Sequence, residues 1–225
     1  MSLLLNIDTF AREAVVSISK HGELLDAIIN KEQNEHASFL QPAIKKLLAQ
    51  LQIKINDLDA VAVVNGPGSY TGLRVGLASA KGICYALGKP LITIGSLPLM
   101  ARACFGDVGN RVTAPQLVCP MIDARRQEVF TAIYNSKLDE IFPPQALILY
   151  DDSFVATLLQ NQILFFGDGA AKFQMICNHP NALFAGVYDT SRAMCILSYS
   201  KFIQEEFTNL ALSEPQYLKE FYTGK

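Results

Sequence analysis

Two aspartates follow apolar runs at positions where enzymes often bind phosphate or magnesium. Asp8 and Thr9 come directly after "LLLNI", and the triplet Gly167, Asp168 and Gly169 comes after "ILFF". In open α/β sheets ligands bind at the carboxyl ends of strands, and an aspartate there can hold a magnesium ion or orient a phosphate. Both segments therefore predict a possible nucleotide site. Each is also compatible with a turn in which the aspartate accepts hydrogen bonds from backbone amides.

A third segment, "VVNGPGSYTGLRVGLASAKG" (63–82), is rich in glycine. It is not a Walker loop, because no GK[ST] follows, and its spacing is not the Rossmann GxGxxG. Ser69 or Thr71 could cap the helix predicted after the loop, and the amides at that helix start could receive an anion. Ser69 lacks the GxSxG frame of a serine nucleophile. We therefore predict no catalytic residue in this segment.

The helix predicted at 71–87 carries small residues about every four positions, at Gly72, Gly76 and Ala80 and further on at Gly82 and Ala86. A glycine inside a helix costs about 0.5–1 kcal/mol relative to alanine. Close approach of a neighbouring helix would offset this cost. That neighbour is either the amphipathic helix predicted at 36–51 or a helix of another subunit, and both alternatives stay open at this point.

The residue types that usually bind metals are scattered. The histidines at positions 21, 36 and 179 have none of the spacings of metal-binding motifs, and the five cysteines form no CxxC pair. We predict no metal site, and we expect the cysteines to be buried free thiols in a reducing compartment. The segment "IDARRQEVF" places Asp123, Arg125 and Glu128 around a predicted hairpin turn, which is either simply solvated or in contact with an anion.

Composition excludes several classes of protein. Half of the 225 residues are apolar, so a well-packed interior is expected rather than disorder. The net charge of −2 argues against strong, independent binding of nucleic acid. The start "MSLLLNIDTF" lacks the basic residues of a signal peptide, and no apolar run is long enough for a membrane span. We therefore expect a cytoplasmic protein with no membrane contact.

The order of the predicted elements indicates an α/β fold. Strands are expected at 3–8, 14–19, 22–29, 58–66, 91–94, 117–123, 128–134 and 163–169, and helices at 36–51, at 71–87, from about 96 and near 191–207. The segments 106–116 and "FPPQ" (142–145) resemble linkers. We predict two lobes, residues 1–105 and 106–225, with the last helices packing back on the first lobe.

The motifs taken together resemble the bacterial TsaB (YeaZ) family. "EHASFLQPAIKKLL", "GPGSYTGLRVGLASAKG", "IDARRQEV", "FGDGA" and "EPQYLK" occur in the family's order, and the resemblance runs from residue 3 to about 220. It implies an ASKHA (actin/hexokinase/Hsp70-like) fold of two lobes, each with a mixed sheet flanked by helices, the second lobe reduced. The family is a shortened relative of TsaD, also called Gcp and once described as a glycoprotease.

The resemblance also implies a role without catalysis. In the family's pathway TsaD forms the threonylcarbamoyl group on adenosine beside the anticodon, in tRNAs that read codons beginning with A (t6A modification). TsaB binds and activates TsaD, the ATPase TsaE joins them, TsaB also forms homodimers, and tRNA is reached only through the complex. The implied partner and dimer surface lies on the two N-terminal helices, and the resemblance favours another subunit as the neighbour of the glycines. The implied contact residues are His36, Leu40, Ile44, Leu47, Tyr70, Gly72, Leu73, Val75, Gly76, Ser79, Ala80 and Ile83.

Two departures from catalytic relatives bear on chemistry. TsaD-type proteins carry a metal-binding HxxxH where this chain has Ser96 and Met100, neither of which replaces an imidazole ligand. Phe10 follows Thr9 where small or hydroxyl residues are usual, so we expect no intrinsic cofactor, with ATP or ADP bound only weakly or within the complex. The alternatives are an ASKHA-type phosphotransferase, a glycoprotease-like peptidase, or a homodimer with a separate function.

Overall fold

The computed structural model describes residues 2–31, 36–108 and 116–219. The chain divides into two compact units, the first made of Met1–Ser96 and Thr190–Gln216 and the second of Leu97–Asp189 and Tyr217–Lys225. The predicted lobe boundary after residue 105 therefore differs from the observed division after Ser96. The linker-like composition of 106–116 suggested the later boundary, but residues up to Val108 belong to a helix that starts at Ser96.

The first unit is a five-stranded mixed sheet covered by helices. Its strands are β1 (Leu3–Asp8), β2 (Ala14–Lys20), β3 (Glu23–Asn30), β4 (Ala60–Gly66) and β5 (Leu91–Gly95), and its helices are α1 (His36–Gln50), α2 (Tyr70–Leu87) and α6 (Ser191–Ile203). The strand order is β3-β2-β1-β4-β5. β1 pairs antiparallel with β2 and parallel with β4, which brings the carboxyl ends of β1 and β4 to the same edge.

The sequence of β1 explains how the helices cover this sheet. Leu5 and Ile7 point to one face, where they pack in a core cluster with Leu40 and Leu47 of α1. Asn6 points to the opposite face, where its amide donates to the Ser19 hydroxyl at 3.1 Å. α6 packs against β1, β2, β3 and β5, so this late helix belongs to the first unit. Because both faces are covered, β1 is almost continuously apolar.

The second unit also has five strands, while most of its helices are short. Its elements are α3 (Ser96–Val108), β6 (Leu117–Asp123), β7 (Glu128–Asn135), β8 (Glu140–Ile148), α4 (Val155–Leu158), β9 (Ile163–Phe166), α5 (Ala170–Gln174) and β10 (Ala182–Phe184). The strand order is β10-β9-β6-β7-β8. The predicted linker "FPPQ" (142–145) is wrong, because it lies inside β8. β8 is an edge strand, where prolines are tolerated because they need not donate to a neighbour.

α2 begins and ends as its sequence predicts. The Ser69 hydroxyl accepts a hydrogen bond from the Gly72 amide at 3.2 Å, so Ser69 is the N-cap. Gly88 ends the helix in the left-handed conformation that glycine adopts readily. Within the described ranges, every helix is too short or too polar to cross a membrane.

Candidate functional site

The loop after β1 uses its polar side chains for contacts within the first unit. Asp8 is buried, and its Oδ2 accepts a hydrogen bond from the Thr190 hydroxyl at 2.8 Å. Its Oδ1 accepts the Phe10 amide at 3.4 Å. The buried Thr9 hydroxyl donates to the Gly72 carbonyl of α2 at 2.8 Å. These contacts tie β1 to α2 and α6, and nucleotide binding at Asp8 and Thr9 stays a prediction.

Phe10 occupies the space beside the glycine loop. Its ring is buried, and its carbonyl accepts a hydrogen bond from the Ser69 amide at 2.7 Å. Gly68 has φ +156°, and a Cβ at this position would lie 2.9 Å from the Phe10 Cβ and would overlap the Phe10 carbonyl oxygen. The glycine therefore lets two loops of the same chain approach each other.

The close neighbour of Gly72 and Gly76 is also within the chain. A Cβ on Gly76 would collide with the Thr9 hydroxyl, and a Cβ on Gly72 would collide with the Thr9 carbonyl oxygen and lie 3.0 Å from His36 Cδ2 of α1. The interpretation of these two glycines as contacts for another subunit is therefore corrected. They let α2 pack directly on the end of β1 and on the start of α1.

Eight of the twelve residues expected on a partner surface are buried inside the first unit. They are His36, Leu40, Ile44 and Leu47 of α1 and Gly72, Leu73, Gly76 and Ala80 of α2. The expectation that these eight contact a partner is corrected, because they face the sheet of their own chain. The periodic apolar residues of an amphipathic helix mark the side that faces the core, so this periodicity selects the wrong face for a partner.

The other four expected residues reach solvent on α2. Tyr70 is exposed, and Val75, Ser79 and Ile83 are partly exposed. The Arg74 guanidinium lies over the Tyr70 ring, with 4.0 Å between its central carbon and the ring centroid. This solvent-facing side of α2 continues towards the C-terminal end of the helix as a row of small residues.

We call the concave surface beside this row the α2 groove. It is shallow, has a volume of about 490 Å³, and is lined by Gln41, Ile55, Ala78, Ser79, Gly82, Ile83, Ala86 and Leu87. A Cβ on Gly82 would meet no atom within 4 Å, so this glycine serves no packing among the described residues. The twelve-residue prediction omitted Ala78, Gly82 and Ala86, although their spacing of four was visible in the sequence.

The predicted "GDG" site forms the turn between β9 and α5 in the second unit. Gly167 has φ +104°, and a Cβ there would lie 2.8 Å from Met100 Cε. The Gly169 amide donates to the Met121 carbonyl at 3.0 Å. Asp168 accepts the Asp123 amide at 3.0 Å, and partial burial raises the pKa of its carboxyl more than this hydrogen bond lowers it. These contacts support the turn interpretation, and phosphate binding stays a prediction.

The "IDARRQEV" segment is the hairpin between β6 and β7. Asp123 Oδ1 accepts the Lys172 ammonium at 2.7 Å and the Arg125 amide at 2.5 Å. Partial burial alone would raise the pKa of Asp123, but the Lys172 ammonium and the Arg125 amide outweigh it and lower this pKa. Arg125 and Arg126 have φ 70° and 50° and are both exposed. A left-handed backbone costs a non-glycine residue about 1–2 kcal/mol.

Ser96 and Met100, which the sequence resemblance predicts at the positions of the TsaD histidines, serve as structural contacts. The Ser96 hydroxyl donates to the Pro67 carbonyl at 2.5 Å, and Met100 is buried. Neither side chain is placed as a metal ligand. Among the residues that the structure describes, no group of three or more His, Cys, Asp or Glu side chains could hold a metal ion. All five cysteines are buried thiols outside any disulfide bond.

Sequence comparison finds relatives along nearly the whole chain. Residues 23–220 match the model of the family described as "TsaD: tRNA N6-adenosine threonylcarbamoyltransferase". A Bacillus subtilis protein named "tRNA threonylcarbamoyladenosine biosynthesis protein TsaB" is 29% identical over 77% of this chain and 74% of its own length. A Haemophilus influenzae protein of the same name is 29% identical over 99% of this chain and 95% of its own.

Comparison with solved structures finds the same fold in two proteins. The structure titled "YeaZ from Pseudomonas aeruginosa" superposes with a TM-score of 0.80 at 22% identity, over 97% of this chain and 100% of that one. A second structure from that organism, described as similar to the peptidase YEAZ, gives a TM-score of 0.81 over the same shares. The predicted α/β fold, two mixed sheets flanked by helices, is confirmed, and it is shared with the YeaZ structures.

Proposed function

The chain belongs to the TsaB (YeaZ) family, and we propose that it acts in tRNA threonylcarbamoyladenosine biosynthesis as the subunit that binds and activates TsaD. The transferase chemistry resides in TsaD, and TsaE joins the two proteins. tRNA reaches this chain through the complex. The site of action is the cytoplasm, and no membrane is involved.

The α2 groove is the observation that carries this proposal. Gly82 costs the helix about 0.5–1 kcal/mol relative to alanine, and no described residue packs against it. A glycine with no internal neighbour, in a row with Ala78, Ser79 and Ala86, lets the backbone of another helix come unusually close. An amphipathic helix of TsaD is the expected occupant. A second copy of this chain would use the same groove, so the homodimer and the TsaD complex exclude each other.

The side chains at the loops support a role without catalysis. The hydroxyls of Thr9 and Ser96 donate to backbone carbonyls, and Asp8 accepts the Thr190 hydroxyl. Phe10 fills the space beside Gly68. A kinase needs a carboxylate base and two phosphate loops that are open to nucleotide, so we propose that the isolated chain binds ATP or ADP weakly at most.

The variant Gly82→Leu tests the groove without disturbing the fold. A leucine side chain would fill the groove, and leucine has a higher helix propensity than glycine. We expect an unchanged or higher melting temperature, at least about a tenfold weaker affinity for TsaD, which is about 1.4 kcal/mol, and a matching loss of t6A formation in a reconstituted mixture. Analytical size exclusion and nucleoside analysis of the tRNA provide the two readouts.

Gln174→Leu is the matched control, because it adds the same apolar side chain to an exposed position on α5 in the second unit. It should leave affinity for TsaD and t6A formation unchanged. If Gly82→Leu bound TsaD with the affinity of the wild type, the α2 groove would not be the binding surface for TsaD. If the wild-type chain did not bind TsaD, or if t6A formed equally well without the chain, the proposed function would be wrong. Turnover of ATP by the isolated chain would favour a phosphotransferase instead.

A further inference from the structure

We propose that the tip of the β6–β7 hairpin, Arg125 and Arg126, contacts the backbone phosphates of the RNA on which the complex acts. This inference rests on the proposed function, because that function supplies RNA as the polyanion. It adds a surface in the second unit to the groove on α2 of the first.

The hairpin holds both arginines at its tip. Asp123 and Val129 form the last paired position of β6 and β7. Beyond it the Ala124 amide donates to the Glu128 carbonyl, and the Glu128 amide donates to the Arg125 carbonyl, both at 3.1 Å. This loop places two consecutive residues in the left-handed region, which glycine, asparagine and aspartate adopt more readily than arginine does. Arginine at both positions is therefore not explained by the turn.

The neighbouring carboxylates form their ion pairs with lysines rather than with the arginines, and the charge of Arg125 is only one contribution among several to the lowered pKa of Asp123. Asp123 is paired with Lys172 at 2.7 Å, and Glu128 forms a close ion pair with Lys219. Among the residues that the structure describes, neither arginine forms an ion pair, and both side chains are exposed. The two carboxylates of the hairpin are therefore both paired with lysines.

The residue type indicates the ligand. A guanidinium is planar, is always charged, and binds phosphate oxygens through two parallel hydrogen bonds. Contacts of this kind position a protein on nucleic acid without reading its sequence. The net charge of −2 means that the whole chain does not attract RNA strongly, so the tip acts on RNA that TsaD already holds. An acidic protein surface would be the other polyanion, and the experiment distinguishes the two.

The test compares the double variant Arg125→Gln/Arg126→Gln with the wild type. The affinity of the reconstituted TsaD complex for tRNA is measured from low to physiological salt. Each lost phosphate contact lowers the slope of log K against log [salt] by about 0.7–0.9. We therefore expect a slope smaller by about 1.4–1.8 for two contacts, together with weaker binding at low salt.

Two control variants distinguish the effect of net charge from the effect of the guanidinium group. Lys20→Gln/Lys137→Gln removes the same charge from two exposed lysines and should keep the wild-type slope. Arg125→Lys/Arg126→Lys keeps the charge and loses the guanidinium fork, so it should keep the slope but bind tRNA more weakly. Association with TsaD is measured separately on each protein.

The following results would support or overturn the RNA contact, and they can be told apart from a failure of the proposed function. Wild-type affinity and slope in the Arg→Gln variant would overturn it, as would an equal loss in the lysine control. Weaker binding of TsaD or TsaE with unchanged binding of tRNA would overturn it in favour of an acidic protein partner. If TsaD does not associate, the same titration of the isolated chain at low salt decides: a slope reduced only in the arginine variant supports the RNA contact, and equal slopes or no binding reject it.

Discussion

The substitution Gly76→Ala distinguishes the two kinds of glycine in α2. Gly76 packs against Thr9 at the end of β1, whereas Gly82 faces open space on the same helix. An added methyl group should therefore destabilise the first unit at position 76 and stabilise it at position 82. The matched variant Gly82→Ala uses the same chemical change, so differences in helix propensity cancel between the two.

The structure gives the size of the difference. Alanine gains about 0.5–1 kcal/mol over glycine inside a helix, and this gain is all that Gly82→Ala should show. At Gly76 the new Cβ would collide with the Thr9 hydroxyl, which donates to the Gly72 carbonyl at 2.8 Å. Overpacking of this kind costs about 1–3 kcal/mol, and displacing the hydrogen bond costs about 0.5–1.5 kcal/mol more. The net destabilisation expected for Gly76→Ala is therefore about 0.5–4 kcal/mol, with about 2 kcal/mol as the central value.

Urea unfolding followed by circular dichroism measures both variants, and a double-mutant cycle with Thr9→Ala tests the cause. Removing the Thr9 hydroxyl makes room for the new methyl group, so Gly76→Ala should cost less in that background, with a coupling of about 1–2 kcal/mol. If Gly76→Ala proved as stable as Gly82→Ala, or if the cycle showed no coupling, the close approach of α2 to Thr9 would not explain the glycine.

Three further predictions concern the second unit. Lys172→Met should lower the free energy of unfolding more at neutral pH than under acid conditions. The lowered pKa of Asp123 stabilises the fold above the unfolded value of about 3.9, and that contribution is lost as the pH falls below about 4, whereas the Lys172 hydrogen bond to the Glu128 carbonyl does not depend on Asp123. Equal losses at both pH values in urea titrations would contradict this prediction. Burial raises the pKa of Cys119 to about 12, so iodoacetamide followed by mass spectrometry should label it only after unfolding, and rapid labelling of the native protein would refute this. Arg125→Asn/Arg126→Gly should raise the free energy of unfolding by about 1 kcal/mol, and with it the melting temperature, because both new residues adopt a left-handed backbone more readily than arginine. A lower melting temperature would show that the turn is not strained.

The regular elements were the easiest part of this fold to predict. β1, β4 and β6 are short apolar runs, and their residue types specify buried strands without reference to the rest of the chain. β8 could not be found in this way, because Pro143 and Pro144 suggest a linker. Only its position at the sheet edge makes two prolines acceptable, and edge position is a property of the whole sheet.

The candidate surface was harder to predict, because apolar residues at helical spacing occur both on helix faces that pack in the core and on faces that bind a partner. Leu40 and Leu47 recur at helical spacing, and such spacing marks the side of α1 that faces the sheet. A surface made of small residues gives no comparable signal, since Ala78 and Ala86 are ordinary residues of any helix. The choice between a core and a surface role needed the positions of Thr9 and β1, which are distant in sequence.

The small residues of α2 therefore have two different roles, one in packing within the chain and one in forming the α2 groove, and mutations distinguish them. At Gly72 and Gly76 the requirement comes from the chain itself, so a large side chain there should unfold the first unit and abolish every function at once. At Gly82 no described neighbour sets a limit, so a large side chain should leave the monomer intact and block only what enters the groove. Loss of TsaD binding caused by a variant at position 76 would therefore say nothing about an interface, whereas the same loss at position 82, with the melting temperature unchanged, would locate one.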